Sequence, residues 1–209
     1  MFKVNSGPQH IHGHKLYIAD GWQEKLAEFG LTPDADWLKL TPGEIASTSK
    51  RVKAYKVPLK NGQSVFFKTY CYEGQYMDFF MRQSKCAVEV KSYQTLEKIG
   101  IPTIKPLAYG ENRLFGMLKS CCIVTLGVDD TTQLEDFAFY IWRNLDEKEK
   151  QKAFQDIFEE TAKFTGLIHN QKFCHYDLKW RNILIKKENE KYKTVWIDCP
   201  RGRYLKFRP

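Results

Sequence analysis

The sequence predicts an α+β fold in two lobes: an antiparallel sheet with one helix, then a short, mainly helical half. Three observations carry this expectation. Residues 51–57 and 64–70 alternate with the period of two that a half-buried strand shows, and Asn61-Gly62 between them is a strong hairpin turn signal. Residues 83–99 set Cys86, Glu89, Tyr93 and Leu96 three and four apart, on one helical face, and Gly100 and Pro102 stop the helix. Past the acidic, turn-like residues 127–132 the pattern becomes helical.

In chain order, a polar start leads to a helix-like stretch at residues 21–30. The hairpin and the helix over 83–99 follow, then a strand near 121–126. Residues 127–132 read as a hinge. A long helix is expected over 146–170, with Phe154, Ile157, Phe158, Ala162, Thr165 and Ile168 as its inner face. The expected organisation is an N-terminal extension over 1–36, a first lobe over 37–126 and a second over 127–209.

Composition excludes several classes. Of 209 residues, 43% are apolar and 28% charged, which suits a packed core and not a disordered chain. No apolar run approaches the roughly 18 residues of a spanning helix, and Met1 to His10 holds no hydrophobic signal core, so a cytoplasmic chain is expected. The net charge of +8 is unevenly spread. Between Ile45 and Tyr72 there is no Asp or Glu, while Lys50, Arg51, Lys53, Lys56, Lys60 and Lys68 all fall there. Arg201, Arg203, Lys206 and Arg208 make the tail basic. Such surfaces attract phosphates. The six cysteines form no CxxC pair and read as small buried hydrophobes. His10, His12 and His14 alternate, a pattern a transition metal can use on a strand, but no Cys or carboxylate accompanies them and a plain terminal segment is favoured.

The chemistry concentrates in residues 174–198. Asp177 and Asn182 stand five apart before the apolar Ile183-Leu-Ile185. A polar turn over 187–191 and a second strand, residues 192–197, lead to Asp198. If the strands pair about residue 190, Asn182 and Asp198 lie opposite each other at the open end of the hairpin, with Asp177 just upstream. Two carboxylates and an amide oxygen converging in this way suit Mg²⁺, which also binds waters and substrate phosphates.

These residues resemble the protein-kinase-like phosphotransferases, whose catalytic loop runs H-x-D-L-x-x-x-N. The match is His175, Asp177, Leu178 and Asn182, with Asp198 in the place of the metal-binding Asp. More narrowly, Ile197-Asp-Cys-Pro-Arg201 and the run from Gly100 to Gly110 resemble the bacterial lipopolysaccharide core kinases (Kdo/WaaP, InaA-like). The resemblance implies a two-lobed kinase fold and the cofactors ATP and Mg²⁺. It implies that Lys68 grips phosphate, that Glu89 pairs with Lys68, that Asp177 orients the acceptor hydroxyl and takes its proton, and that Lys179 lies near the transferring phosphoryl group. Asn182 and Asp198 would hold the metal. Glu89 agrees from burial alone, since a carboxylate on an apolar helix face is costly unless paired.

Two departures stand out. Cys199-Pro200 replaces the Phe-Gly that usually follows the metal Asp, and the segment expected to cover phosphate, residues 41–50, has one glycine.

The leading expectation is an ATP-dependent kinase acting on a sugar hydroxyl of the lipopolysaccharide inner core, in peripheral contact with the anionic inner face of the inner membrane. The basic tail, with Tyr204, Leu205 and Phe207, would stand near acceptor entry. A protein Ser/Thr or small-molecule kinase of the same fold is the alternative, since fold does not set substrate. A pseudokinase scaffold is the third, disfavoured because the base and metal ligands are all present. No nucleic-acid reader motif accompanies the basic charge.

Overall fold

The structure, a computed structural model, describes residues 1–206, so Phe207 and Arg208 of the basic tail lie outside the described residues. The chain divides into two compact units. The first comprises Met1–Lys91 and Lys105–Gly127, the second Ser92–Ile104 and the chain from Val128 onward.

The first unit is built on six antiparallel strands: β1 (Gly13–Ile18), β2 (Glu44–Thr48), β3 (Val52–Pro58), β4 (Ser64–Cys71), β5 (Pro106–Leu114) and β6 (Met117–Leu126). Their order across the sheet is β1-β5-β6-β4-β3-β2. The expected hairpin forms as β3 and β4, with Val52 opposite Tyr70 and Pro58 opposite Ser64. Its turn needs the left-handed backbone of Gly62, at φ +83°. Period-two alternation sends Val65 and Phe67 into the core and Phe66, Lys68 and Tyr70 to the opposite face. The first 36 residues are part of this unit. β1 pairs with β5, and Leu26 of helix α1 (Gln23–Ala27) and Leu31 join Trp37 in the core with Phe67, Leu107 and Val124.

Helix α2 (Lys85–Ile99) is capped at its start by the buried Ser84, whose Oγ accepts the N–H of Ala87 at 3.1 Å. Cys86 Sγ lies 2.9 Å from Cys121 Sγ, which sets the opening turn of α2 against β6. A buried ion pair holds the segment leading into the helix. Arg113 Nε donates to Glu111 Oε2 at 2.6 Å, and neither side chain is exposed. Arg113 also donates to the carbonyls of Phe79, Arg82 and Gly116. Glu111 accepts the N–H groups of Gln9 and Ser84. All the strong donors and acceptors of the pair are thereby answered inside the protein, as buried charge requires.

The second unit contains the long helix α4 (Glu147–Asn170), preceded by β7 (Thr132–Gln133) and the short α3 (Leu134–Asp136), and four further strands. These are β8 (Phe173–Cys174), β9 (Ile183–Glu188), β10 (Lys191–Trp196) and β11 (Arg203–Tyr204). Asp146 caps α4 by accepting the N–H of Glu149 at 2.8 Å. The expected inner face of this helix holds at Ile157 and Ile168 and fails at Phe154 and Phe158. Ala153, Phe164 and Ile168 are buried, whereas Phe154 and Phe158 are 64% and 61% exposed. The helix carries two apolar stripes, and its polar residues choose between them. Asp156 accepts the N–H of Tyr192, and Glu160 accepts the N–H and Oγ1 of Thr194. These carboxylates answer the open edge of β10, and that requirement sets the rotation of α4.

The core of this unit gathers Leu96, Ile101, Phe164, Ile168, Ile183, Tyr192 and Trp196. The tail turns back, pairing β11 with β8, and Gly202 passes so close that a Cβ there would lie 2.3 Å from Ser92 Oγ. Among the described residues no helix is long and apolar enough to cross a membrane.

The buried pair generates a stability prediction. Arg113→Met strands Glu111 without a counter-charge and should cost about 3–5 kcal/mol, read from denaturant midpoints. A loss below about 1 kcal/mol would mean that water reaches the carboxylate in the folded protein.

Candidate active site

Each candidate residue belongs to one of the two units. In the first, Lys68 lies within the central strand β4, on the face away from the core. Its Nζ is 3.0 Å from Glu89 Oε1, with Glu89 1% exposed and Lys68 17% exposed. The expected pair is therefore formed. A two-residue strand period and a helical face converge to place an amine beside an otherwise costly buried carboxylate.

In the second unit Asp177, Lys179 and Asn182 share one tight loop. Asn182 Nδ2 donates to the backbone carbonyl of Asp177 at 2.7 Å, and the Asn182 N–H donates to Lys179 O at 2.8 Å. The amide nitrogen is thus committed to the loop, and Oδ1 remains the acceptor end of a buried side chain. Lys179 Nζ is 2.7 Å from Asp177 Oδ1. Burial pushes the Asp177 carboxyl upward, but the Lys179 hydrogen bond and charge, with Arg201 and Arg181, outweigh it and hold the group below its ordinary value.

His175 joins this loop to the hairpin through Nε2 and the carbonyl of Ile197 at 3.2 Å, and its ring edge meets Trp196. Burial holds its imidazole below the usual histidine value, partly offset by that carbonyl and by Asp198 and Asp177. A neutral, positioning histidine follows.

The hairpin register differs from expectation by one residue. Ile183 faces Trp196 and Glu188 faces Lys191 across a two-residue turn, Asn189-Glu190, with φ of +47° and +62°. A tight turn of this kind matches the strand twist better than the five-residue turn expected over 187–191. Asn182 therefore stands opposite Ile197, whose N–H donates to Asn182 O at 2.9 Å, and Asp198 falls one residue beyond. Asp198 leaves the strand with φ +57°, so strand alternation no longer sets its direction. Its N–H donates to Tyr93 Oη at 3.0 Å. Tyr93 is a site-supporting residue that sequence reasoning took only as helix packing; its partner is 105 residues away and no local signal marks it. Thr103 plays a similar part: its Oγ1–H donates to Trp196 O at 2.6 Å, beside an isolated parallel bridge between the two residues.

Half of the segment 41–50 is strand β2, and its connection to β3 is closed by Ser49, whose N–H donates to Val52 O. Ser47 and Thr48, both exposed on β2, precede that connection. The three N-terminal histidines do not converge. His10 bonds Gly13 O, His12 meets the Phe115 ring, and His14 stacks on Trp37 at 3.7 Å. Arg203 of the tail donates to Tyr176 Oη and lies over that ring, so it braces the segment before Asp177.

The second unit carries acidic and amide oxygens suited to a hard cation, and the first, by itself, carries a buried lysine–glutamate pair suited to phosphate. Comparisons with known proteins bear on the fold and the family. WaaP, solved in complex with acyl carrier protein, superposes with a TM-score of 0.68 at 17% identity, covering 93% of this chain and 75% of that one. The likeness shows the fold, a protein-kinase-like one. In all, 931 chains of solved structures match, so the fold alone says little about acceptor. No curated protein matches the sequence. The sequence profile of the lipopolysaccharide kinase (Kdo/WaaP) family matches residues 72–208, more than half of the chain and all the candidate residues but Lys68. The chain is a member of the lipopolysaccharide kinase (Kdo/WaaP) family.

Proposed function

We propose that the protein transfers the γ-phosphoryl group of ATP to a hydroxyl of a lipopolysaccharide inner-core sugar. The observation that carries this reading is the closed loop in which Asn182 is tied to Asp177 and Lys179 is paired with the same carboxylate. That arrangement holds an acceptor-orienting group and a phosphate-facing cation together.

Asp177 accepts the hydrogen bond of the attacking hydroxyl and takes its proton. Its lowered pKa makes it a weak base, so orientation is its larger contribution. Phosphoryl transfer through a loose transition state asks for little more. Lys179 meets the charge of the transferring group. Lys68 neutralises charge on the other phosphates, and Glu89 fixes the direction of its amine. Asn182 Oδ1 and the Asp198 carboxylate would hold Mg²⁺, which when bound offsets the charge of the nucleotide phosphates. Among the described residues no three His, Cys, Asp or Glu side chains form a metal cage, so the fit is to a cation that takes its remaining ligands from phosphate and water. Basic charge on the chain supports peripheral contact with an anionic membrane, where such an acceptor resides.

Three measurements test the reading. Asp177→Asn should keep nucleotide binding and lose transfer to core oligosaccharide by about 10²–10⁴-fold; transfer at the parental rate would remove Asp177 from the mechanism. Asp198→Ala should abolish the Mg²⁺ dependence of nucleotide binding, measured by titrating ATP with and without the metal. An unchanged dependence would put the cation elsewhere. The third is a pH profile. Because Asp177 is held low, kcat/KM should fall on the acid side only below the ordinary carboxylate range, near pH 4. Lys179→Gln removes the chief force lowering that pKa and should move the acid limb upward. A limb that stays in place shows that another group controls it.

A further inference from the structure

The first unit carries a cleft of about 360 Å³, within the size range of small-ligand pockets. Its walls come from the start of β3, the end of β4 and the segment entering α2. Three cations line it, Arg51, Arg82 and Lys85, against one carboxylate, Asp78. Among the described residues none of the three cations makes an ion pair. Tyr70 and Tyr72, largely buried and with near-parallel rings whose centroids are 6.4 Å apart, also line it.

Two features make this more than a basic surface. The wall is rigidly supported, because the buried Arg113 holds the carbonyls of Phe79 and Arg82 and the buried Glu111 holds the N–H of Ser84. Arg82 and Lys85 thus project from a backbone fixed at both sides. The cleft also adjoins the phosphate-gripping pair. Tyr70 lies between two amines, with Lys85 Nζ 5.6 Å and Lys68 Nζ 5.8 Å from its ring centroid.

Like charges gathered around a preformed hollow repel one another unless an anion enters. Phosphate and carboxylate both suit the forked donors of two arginines, and Gln83 on the same wall adds hydrogen-bonding capacity toward hydroxyls. Where Tyr70 and Tyr72 reach the cleft they add apolar contact for a sugar ring. We propose that this cleft binds an anionic sugar, through a phosphate or carboxylate held by Arg51 and Arg82. The inference rests on the kinase reading only in making that sugar part of the acceptor; the binding site itself stands on the cleft.

The test is calorimetric titration at low salt of glucose 6-phosphate, gluconate, glucose and inorganic phosphate into the whole protein. Glucose 6-phosphate or gluconate should bind, glucose should not, and the stronger of the two tells which anion the cleft prefers. Arg51→Gln and Arg82→Gln should each weaken that binding about tenfold or more, the loss of a charge-assisted hydrogen bond. Arg82→Lys should restore part of it, and Lys60→Gln, which removes the same charge at the exposed β3–β4 turn, should leave it unchanged. Failure of both anionic sugars to bind the parent overturns the proposal. So does equal weakening by Lys60→Gln, which would mark net charge as the cause, or inorganic phosphate binding as tightly as glucose 6-phosphate, which would leave no role for the sugar. A parent that binds these sugars yet transfers no phosphate to core oligosaccharide would sink the kinase reading and leave the cleft standing.

Discussion

A carboxylate withdrawn from water must be met by positive charge or by N–H donors, and the first unit is arranged around two that are. Glu111, wholly buried, is met by Arg113 and by the N–H groups of Gln9 and Ser84. Because Arg113 in turn holds three carbonyls, one ion pair joins the N-terminal arm, the β5–β6 hairpin and the entry to α2. Glu89, one turn inside that helix, is met by Lys68 from the central strand. The two pairs work in series: the first fixes where α2 begins, and a fixed helix start decides where Glu89 stands. A buried ion pair adds little net stability over apolar packing, but its directional demands specify one arrangement.

The second unit answers backbone groups instead. The open edge of β10 is met by Asp156 and Glu160 of α4, and this turns Phe154 and Phe158 outward. The inner end of the same hairpin is held by Thr103, by His175 and by the Ile197–Asn182 backbone bond. The loop carrying Asp177 is therefore closed on a hairpin whose outward β10 N–H groups, at Tyr192, Thr194 and Trp196, are all answered. Rigid support of this kind suits the orienting role proposed for Asp177, since a misplaced acceptor would lose most of its value.

Charge on the chain has two destinations. Arg113 and Lys68 are buried partners of carboxylates, and Arg203 braces Tyr176. Arg51, Arg82 and Lys85 instead surround a hollow. An excess of positive charge read from composition does not distinguish these, because formal charge is the same whether its field is satisfied internally or turned toward a ligand.

Much of the candidate site's local geometry was legible in sequence because its logic is local. The His175-x-Asp177-Leu178 to Asn182 spacing marks one loop, and the period of residues 83–99 puts Glu89 on a buried face. The β3–β4 hairpin follows from the turn chemistry of Asn61-Gly62. Tertiary structure decided what local rules leave degenerate. Whether the hairpin over 183–196 turned on two residues or five shifted the pairing of Asn182 by one, which alternation alone cannot settle. Which of two apolar stripes of α4 faced inward depended on the backbone needs of β10. Tyr93, Arg113 and the cleft beside Tyr70 took their roles from partners distant in the chain. Side-chain periodicity is a property of neighbours in sequence, whereas satisfying buried polar groups is a property of neighbours in space.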